Sequence, residues 1–251
     1  MISMFEFLKV TTEGGVAKVI LDRPDKMNAL CMKLRDEIEA CFDALAADDE
    51  VRSVILTGGE DIFCAGFDIA EVVEKGFEAF SHRILEYHLK IYSFPKPVVA
   101  AVSGFALAGG FDLALCGDVI VASESAVFGH PEVRFGVNPL LTPLWRKVGP
   151  AKAAEMAMMG ETINAEEARR IGLVVKVVPA AALHREAFEI AKKLTKIEPR
   201  ALSAIKRAST VVPRLDMQAG LEYEFGLTAE ISRDSELISR IEAYAKKVGL
   251  I

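Results

Sequence analysis

Two stretches of this chain place a small-residue turn where a strand-like run gives way to a helical one. They are "FCAGFDIAE", residues 63 to 71, and "FALAGGFDLALCGD", residues 105 to 118. Backbone N–H groups at the start of a helix have no partner inside it, and the helix dipole adds positive potential there. Two such ends aimed at one oxygen would form an oxyanion hole, which stabilises charge developing on a carbonyl. A plainer reading stands beside this one. Gly109-Gly110 also suits close packing of backbone on backbone. The spacing is not G-x-G-x-x-G and no P-loop lysine follows, so a nucleotide is not indicated.

Two carboxylates lie near these turns in sequence. Glu132 follows Pro131 inside the otherwise apolar "AVFGHPEVRFG". An apolar setting disfavours the ionised form, which brings a carboxyl toward the range where it exchanges protons near neutrality. The alternative is a strand-end glutamate paired with Arg134. Asp112 falls in the first turn of the helix after Gly110, where aspartate is also a capping and dipole-compensating choice. Both readings of Asp112 are open. His130, two residues before Glu132 on what reads as a strand, is expected to point the other way and is assigned no chemistry. Asp118, at the start of "DVIVASE", is expected to make a structural hydrogen bond.

The elements that must carry these residues alternate. "FEFLKVTTEGGVAKVILDRP" reads as two strands about Gly14-Gly15. Residues 30 to 46 bring Leu34, Ile38, Phe42 and Leu45 to one helical face. "VRSVILTG" and "PVVAAVSG" are continuous apolar runs, the pattern of strands buried on both faces. A helical block runs to about Ser93, and residues 150 to 172 read as two short helices. Beyond about residue 180 only amphipathic helices remain, interrupted near Pro199 and Pro213. Strand–helix repetition followed by a helical tail is an α/β layout with a helical extension.

Composition excludes several function classes. The chain has 251 residues, 51% hydrophobic, with a net charge of −6, which argues against a nucleic-acid surface. No apolar run approaches the roughly 20 residues of a membrane span, and the first residues lack the pattern of a secretory signal. The four cysteines and four histidines are scattered, without metal-ligand spacing. Reduced thiols in a cytoplasmic protein follow, with no metal expected.

The two turn stretches, with "RPDKMNAL" (23 to 30), "FGHPEVRFGVNP" (128 to 139) and "GETINAEEARRIGLVVKVVP" (160 to 179), resemble the enoyl-CoA hydratase/isomerase (crotonase) superfamily over nearly the whole chain. The resemblance implies a crotonase-like spiral of ββα units over residues 1–195 and a C-terminal helical trimerisation region over 196–251. It implies an acyl-CoA thioester substrate, a homotrimer or hexamer, and no cofactor beyond the coenzyme A of the substrate. The oxyanion-hole amides would be those of Phe67 and Gly109. Ala65, Phe67, Asp68, Ile69, Ala70 and Gly109 would border the coenzyme, with Lys26 on a loop near its nucleotide. Glu132 and Asp112 match the family's acid–base pair.

The same resemblance leaves three departures. Hydratases of the family carry glutamate where this chain has Asp112; a shift of about 1 Å in a reacting group can cost about a hundredfold in rate. Dienoyl-CoA isomerases carry a further aspartate where this chain has Leu140. "NPLLTPLWRKVG" (138 to 149) replaces a glycine-rich turn with Leu140, Leu141 and Trp145. These either line the acyl pocket or pack the core, and Trp145 is expected in the core. Lys246 and Lys247 are read as solvated. The expected function is enoyl-CoA hydration. The alternatives are an enoyl-CoA isomerase using Glu132 as its single proton shuttle, and a non-catalytic RNA-binding or assembly protein.

Overall fold

Strand β1 (Leu8–Glu13) turns back as β2 (Val16–Leu21) through Gly14 and Gly15, at φ +55° and +83°. Positive φ at both central residues is the type I′ geometry whose twist suits a hairpin. The computed structural model describes residues 5–250. After α1 (Met32–Ala47) and β3 (Ser53–Thr57) come three helices, α2 (Ile69–Lys75), α3 (Phe77–Ser81) and α4 (Ile84–Tyr92). The helical block expected up to Ser93 is thus divided, at Gly76 (φ +79°) and at Arg83 (φ +64°). Apolar periodicity runs through these two positions, but their backbone cannot be helical.

The chain continues through β4 (Val98–Val102), β5 (Phe105–Leu107), α5 (Gly109–Leu115), β6 (Val119–Ser123) and β7 (Val127–Gly129). Next are α6 (Leu141–Val148), α7 (Pro150–Met159), β8 (Thr162–Asn164), α8 (Ala165–Arg170), β9 (Lys176–Val178) and α9 (Leu183–Leu194). Six strands form one sheet in the order β1-β2-β3-β4-β6-β9, parallel except for the hairpin. A smaller sheet has the order β5-β7-β8. Twice the chain leaves a central strand of the large sheet, passes through a short strand of the small one, and enters a helix: β4-β5-α5 and β6-β7-α6. The turn after β3 does the same with a single bridge, Cys64 to Ala106, before α2.

Both faces of the large sheet are covered. On one, Leu34, Ile38 and Phe42 of α1 join Phe111 and Leu113 of α5 in the main core. On the other, Leu183, Ala187 and Ala191 of α9 pack on Ile55, Val99, Ala101 and Val121. That is why β3 and β4 read as unbroken apolar runs. One buried polar residue there, Ser53 in β3, donates its hydroxyl to the Ala191 carbonyl at 3.0 Å. Asp118 fastens β4 to β6 as expected, accepting from Val98 N–H at 2.7 Å.

The chain divides into two compact units, one ending at Lys196 and one beginning at Ile197. The second unit is α10 (Pro199–Val211), α11 (Met217–Ser232) and α12 (Leu237–Lys247). Asp216 caps α11 by accepting from Ala219 N–H, and Arg207 pairs with Glu230 at 2.7 Å. No helix among the described residues is long and apolar enough to cross a membrane.

Candidate active site

The two turn stretches lie side by side. Cys64 N–H donates to Phe105 O at 2.8 Å, and Leu107 N–H donates to Cys64 O at 3.1 Å. Their glycines permit the approach. Gly66 is at φ +111°, and a Cβ there would lie 3.0 Å from Leu107 O and 3.1 Å from the Ala108 Cβ. A Cβ on Gly110 would lie 2.2 Å from Cys64 O. The packing reading of Gly109-Gly110 and the functional one are therefore joined: the close approach builds one wall of a cavity.

Among the amides on that wall without a backbone partner in the described residues are those of Phe67 and Gly109. Leu30 N–H donates to Gly66 O and Leu30 O accepts from Asp68 N–H, so the bridge skips Phe67. Alternate amides of an extended segment face opposite edges, which turns Phe67 N–H away from Leu30. Gly109 N–H opens α5 and has no acceptor within the helix. The Phe67 ring lies on Gly109, where an added Cβ would sit 2.9 Å from it. Behind the ring, the buried Arg35 guanidinium stacks on Phe80 at 4.4 Å and donates to the Phe80 carbonyl.

The cavity beside this wall has a volume of about 520 Å³. Ala65, Phe67, Ala108, Gly109, Asp112 and Glu132 line one end, and the rest is mainly apolar, including Ile69, Phe77, Ile84 and Leu140. Asp112 and Glu132 are both buried, at 3% and 6% exposure. Glu132 sits on a 3-10 turn, Pro131–Phe135. Burial pushes the Asp112 carboxyl well above its ordinary value, and the charge of Glu132 adds to the shift. Burial of this kind favours the protonated form of a carboxyl.

His130 corrects the sequence reading. Residues two apart share a face even on a strand, and the 3-10 turn at Pro131 likewise keeps the side chains of 130 and 132 together. His130 Nδ1 lies 3.0 Å from Glu132 Oε1, and its Nε2 lies 3.7 Å from Asp112 Oδ1. The histidines, scattered along the chain, are not all isolated in space: one atom each of Asp112, His130 and Glu132 fall within 4.8 Å of one another. Asp112 Oδ1, His130 Nε2 and Glu132 Oε2 are buried without a hydrogen-bond partner. Buried polar atoms are rarely left so, and three together mark a place where a guest is expected.

The remaining expected residues divide. Ile69 lines the cavity, whereas Lys26 and Ala70 do not. The Asp68 carboxylate is occupied with structure: it accepts from the amides of Ala70 and Glu71 at the start of α2 and pairs with Arg23 at 2.7 Å. Burial works against its charged form, but Arg23 and those amides outweigh it and hold the carboxyl below its ordinary value. Leu140 lines the cavity. Trp145, expected in the core, is 52% exposed on α6. Lys246 and Lys247 are exposed, as expected. Asn28, inside a motif from which only Lys26 was singled out, places Nδ2 3.0 to 3.2 Å from the carbonyls of Gly58, Ile62 and Phe63. It thereby ties the first turn stretch to the loop before it.

The chain has close relatives among known proteins. Residues 11–249 match the family model for enoyl-CoA hydratase/isomerase. A probable enoyl-CoA hydratase of Rhizobium meliloti (strain 1021) is 38% identical over 88% of this chain and 87% of its own length. The 2,3-dehydroadipyl-CoA hydratase of Escherichia coli (strain K12) is 34% identical over 96% of both. The crystal structure of an enoyl-CoA hydratase from Bacillus anthracis superposes with a TM-score of 0.91, at 31% identity, over 96% of this chain and 97% of the other. Taken with the paired turns and the buried carboxyls, these similarities establish that the chain belongs to the enoyl-CoA hydratase/isomerase family.

Proposed function

We propose that the protein is an enoyl-CoA hydratase, adding water across the 2,3 double bond of an enoyl-CoA thioester. The observation that carries this reading is the pair of buried carboxyls with unpartnered oxygens beside two free amides in one cavity. The amides of Phe67 and Gly109 hold the thioester oxygen and stabilise the enolate charge that develops on it. One such donor is worth about 3 kcal/mol in other enzymes. Hydration also needs a proton taken from water and one delivered to the α-carbon. Burial favours the protonated form of Asp112, which suits it to orient the water rather than to deprotonate it. Glu132 takes the proton of the attacking water and delivers one to the α-carbon. Coenzyme A enters with the substrate, and neither metal nor redox cofactor takes part.

The same reading makes the protein a homotrimer or a pair of trimers in the cytoplasm. Its support is the apolar faces left open on the second unit, where Phe225 is 72% exposed and Met217 80%.

The test is turnover of 2-enoyl- and 3-enoyl-CoA thioesters by the purified protein. Loss of the conjugated chromophore with gain of one water establishes hydration. Glu132→Gln should then lower kcat about a thousandfold, and Asp112→Asn about a hundredfold. Appearance of the chromophore from 3-enoyl thioesters without mass change, indifferent to Asp112→Asn, would instead make it an isomerase.

A further inference from the structure

We infer that His130 is a positioning residue of this site: its imidazole holds one oxygen of Glu132 and leaves the other aimed at the substrate. The inference rests on the hydratase reading for its consequence, though not for its geometry.

The ring is clamped. His130 is 1% exposed, and its face lies on Phe111 with centroids 4.8 Å apart. Phe111 is itself backed by Phe128 of β7 at 5.6 Å. With the ring plane set from α5, the two nitrogens have fixed directions, Nδ1 to Glu132 Oε1 and Nε2 toward Asp112 Oδ1. A carboxylate oxygen only accepts, so the bond at 3.0 Å requires the hydrogen on Nδ1. Nε2 then carries the lone pair and accepts from a protonated Asp112 when that gap closes. Catalytic contacts often tighten in this way only in the complex.

The consequence concerns Glu132. The terminal torsion of a glutamate is broad and close to two-fold, so a carboxyl with no partner swings and its oxygens interchange. Here Oε1 is tied and Oε2 is buried and unpartnered on the cavity. The oxygen left to exchange a proton with the substrate is Oε2, delivered in one orientation. This also accounts for how a glutamate on a short 3-10 turn is held in one orientation.

Three variants separate positioning from packing. His130→Phe keeps the ring and its stacking and removes both nitrogens. His130→Asn restores an N–H close to the Nδ1 position, and His130→Gln places one close to Nε2. Wild type and variants, matched for thermal melts and near-UV circular dichroism, are compared for kcat and KM on a short 2-enoyl-CoA. Loss of the tie should lower kcat about a hundredfold in His130→Phe while KM stays within about threefold. His130→Asn should recover to within about tenfold of wild type, and His130→Gln should remain near the phenylalanine variant. A His130→Phe protein within about threefold of wild type in kcat would overturn the inference. So would equal losses in the Asn and Gln variants with a raised KM.

A second measurement does not depend on turnover. ¹⁵N shifts of the His130 ring in the wild-type protein should show hydrogen on Nδ1, and that signature should change in Glu132→Gln. A ring bare at Nδ1 overturns the inference whatever the activity. A wild type that hydrates no thioester but keeps the Nδ1 signature overturns the proposed reaction and leaves the positioning geometry standing.

Discussion

Helix α5 is seven residues long and buries all seven; helix α11 is sixteen long and buries two, Gly220 and Leu227. An isolated helix of α5's length would not form in water, where about 12 to 15 residues are already marginal. Its neighbours hold it: the Phe67 ring lies on Gly109 and the Cys64 carbonyl on Gly110. Surroundings that impose the helix also free it to carry residues poor for a helix, two glycines and a buried aspartate. In α11 the support is local. Asp216 caps it, Gln218 bonds Glu222 one turn on, and Met217, Leu221 and Phe225 remain open. A helix held by its surroundings can be spent on chemistry, whereas one that holds itself has an apolar face to offer another surface.

The contrast is open to direct attack. The largest effect is expected from Gly110→Ala, whose Cβ would sit 2.2 Å from the Cys64 carbonyl. Backbone cannot yield as a side-chain end can, so the two turn stretches must separate. The fold should lose about 3 kcal/mol or more in denaturant melts, and hydration with it. A tolerated Gly110→Ala would mean that α5 is not held from outside.

Asp112→Asn probes the same helix through pH. An unfolded aspartate releases its proton near pH 4, whereas Asp112 in the fold keeps its own well above that. Between the two values the unfolded chain binds fewer protons, so this group makes stability fall as pH rises. The asparagine variant lacks that loss. It should be more stable than wild type near neutrality, with the gain fading as pH approaches about 4 in thermal melts. A variant less stable at every pH would show that the carboxyl is part of the packing.

The smallest effect falls on α11. Gly226 is exposed, and a Cβ there meets nothing within 4 Å. Gly226→Ala should raise stability by about 1 kcal/mol through helix propensity alone. A decrease, measured with a change in sedimentation, would sharpen the comparison by placing Gly226 under a neighbouring copy.

Legibility in the sequence follows the same division. The hairpin at Gly14-Gly15, the twice-buried strands β3 and β4 and the helix at 32 to 47 were readable because period and turn chemistry are local signals. Asp112, Glu132, Phe67 and Gly109 reach one cavity through family resemblance, since residues 45 apart in sequence give no local sign of meeting. The small sheet was not readable: its strands have three residues each, too short for a period. His130 lies with Glu132 rather than away from it because residues two apart share a face, on a strand as on this 3-10 turn. Trp145 was assigned to the core on bulk alone, and bulk does not say which way a helix faces. The Arg23–Asp68 pair joins two motifs that were each noticed separately.

All four cysteines are buried thiols that form no disulfide among the described residues, and burial pushes the thiols of Cys41 and Cys64 up to about 12. The thiolate is the form that attacks a thiol reagent, so these groups are nearly inert while the fold is closed. Cys64 sits where the two turn stretches meet, its Sγ 3.1 Å from the Asn28 carbonyl. Its rate of labelling by an aromatic disulfide is therefore a clock that ticks only when that seam parts. Read with and without a bound thioester, the clock would time the breathing of the oxyanion wall itself, using an atom the protein already carries.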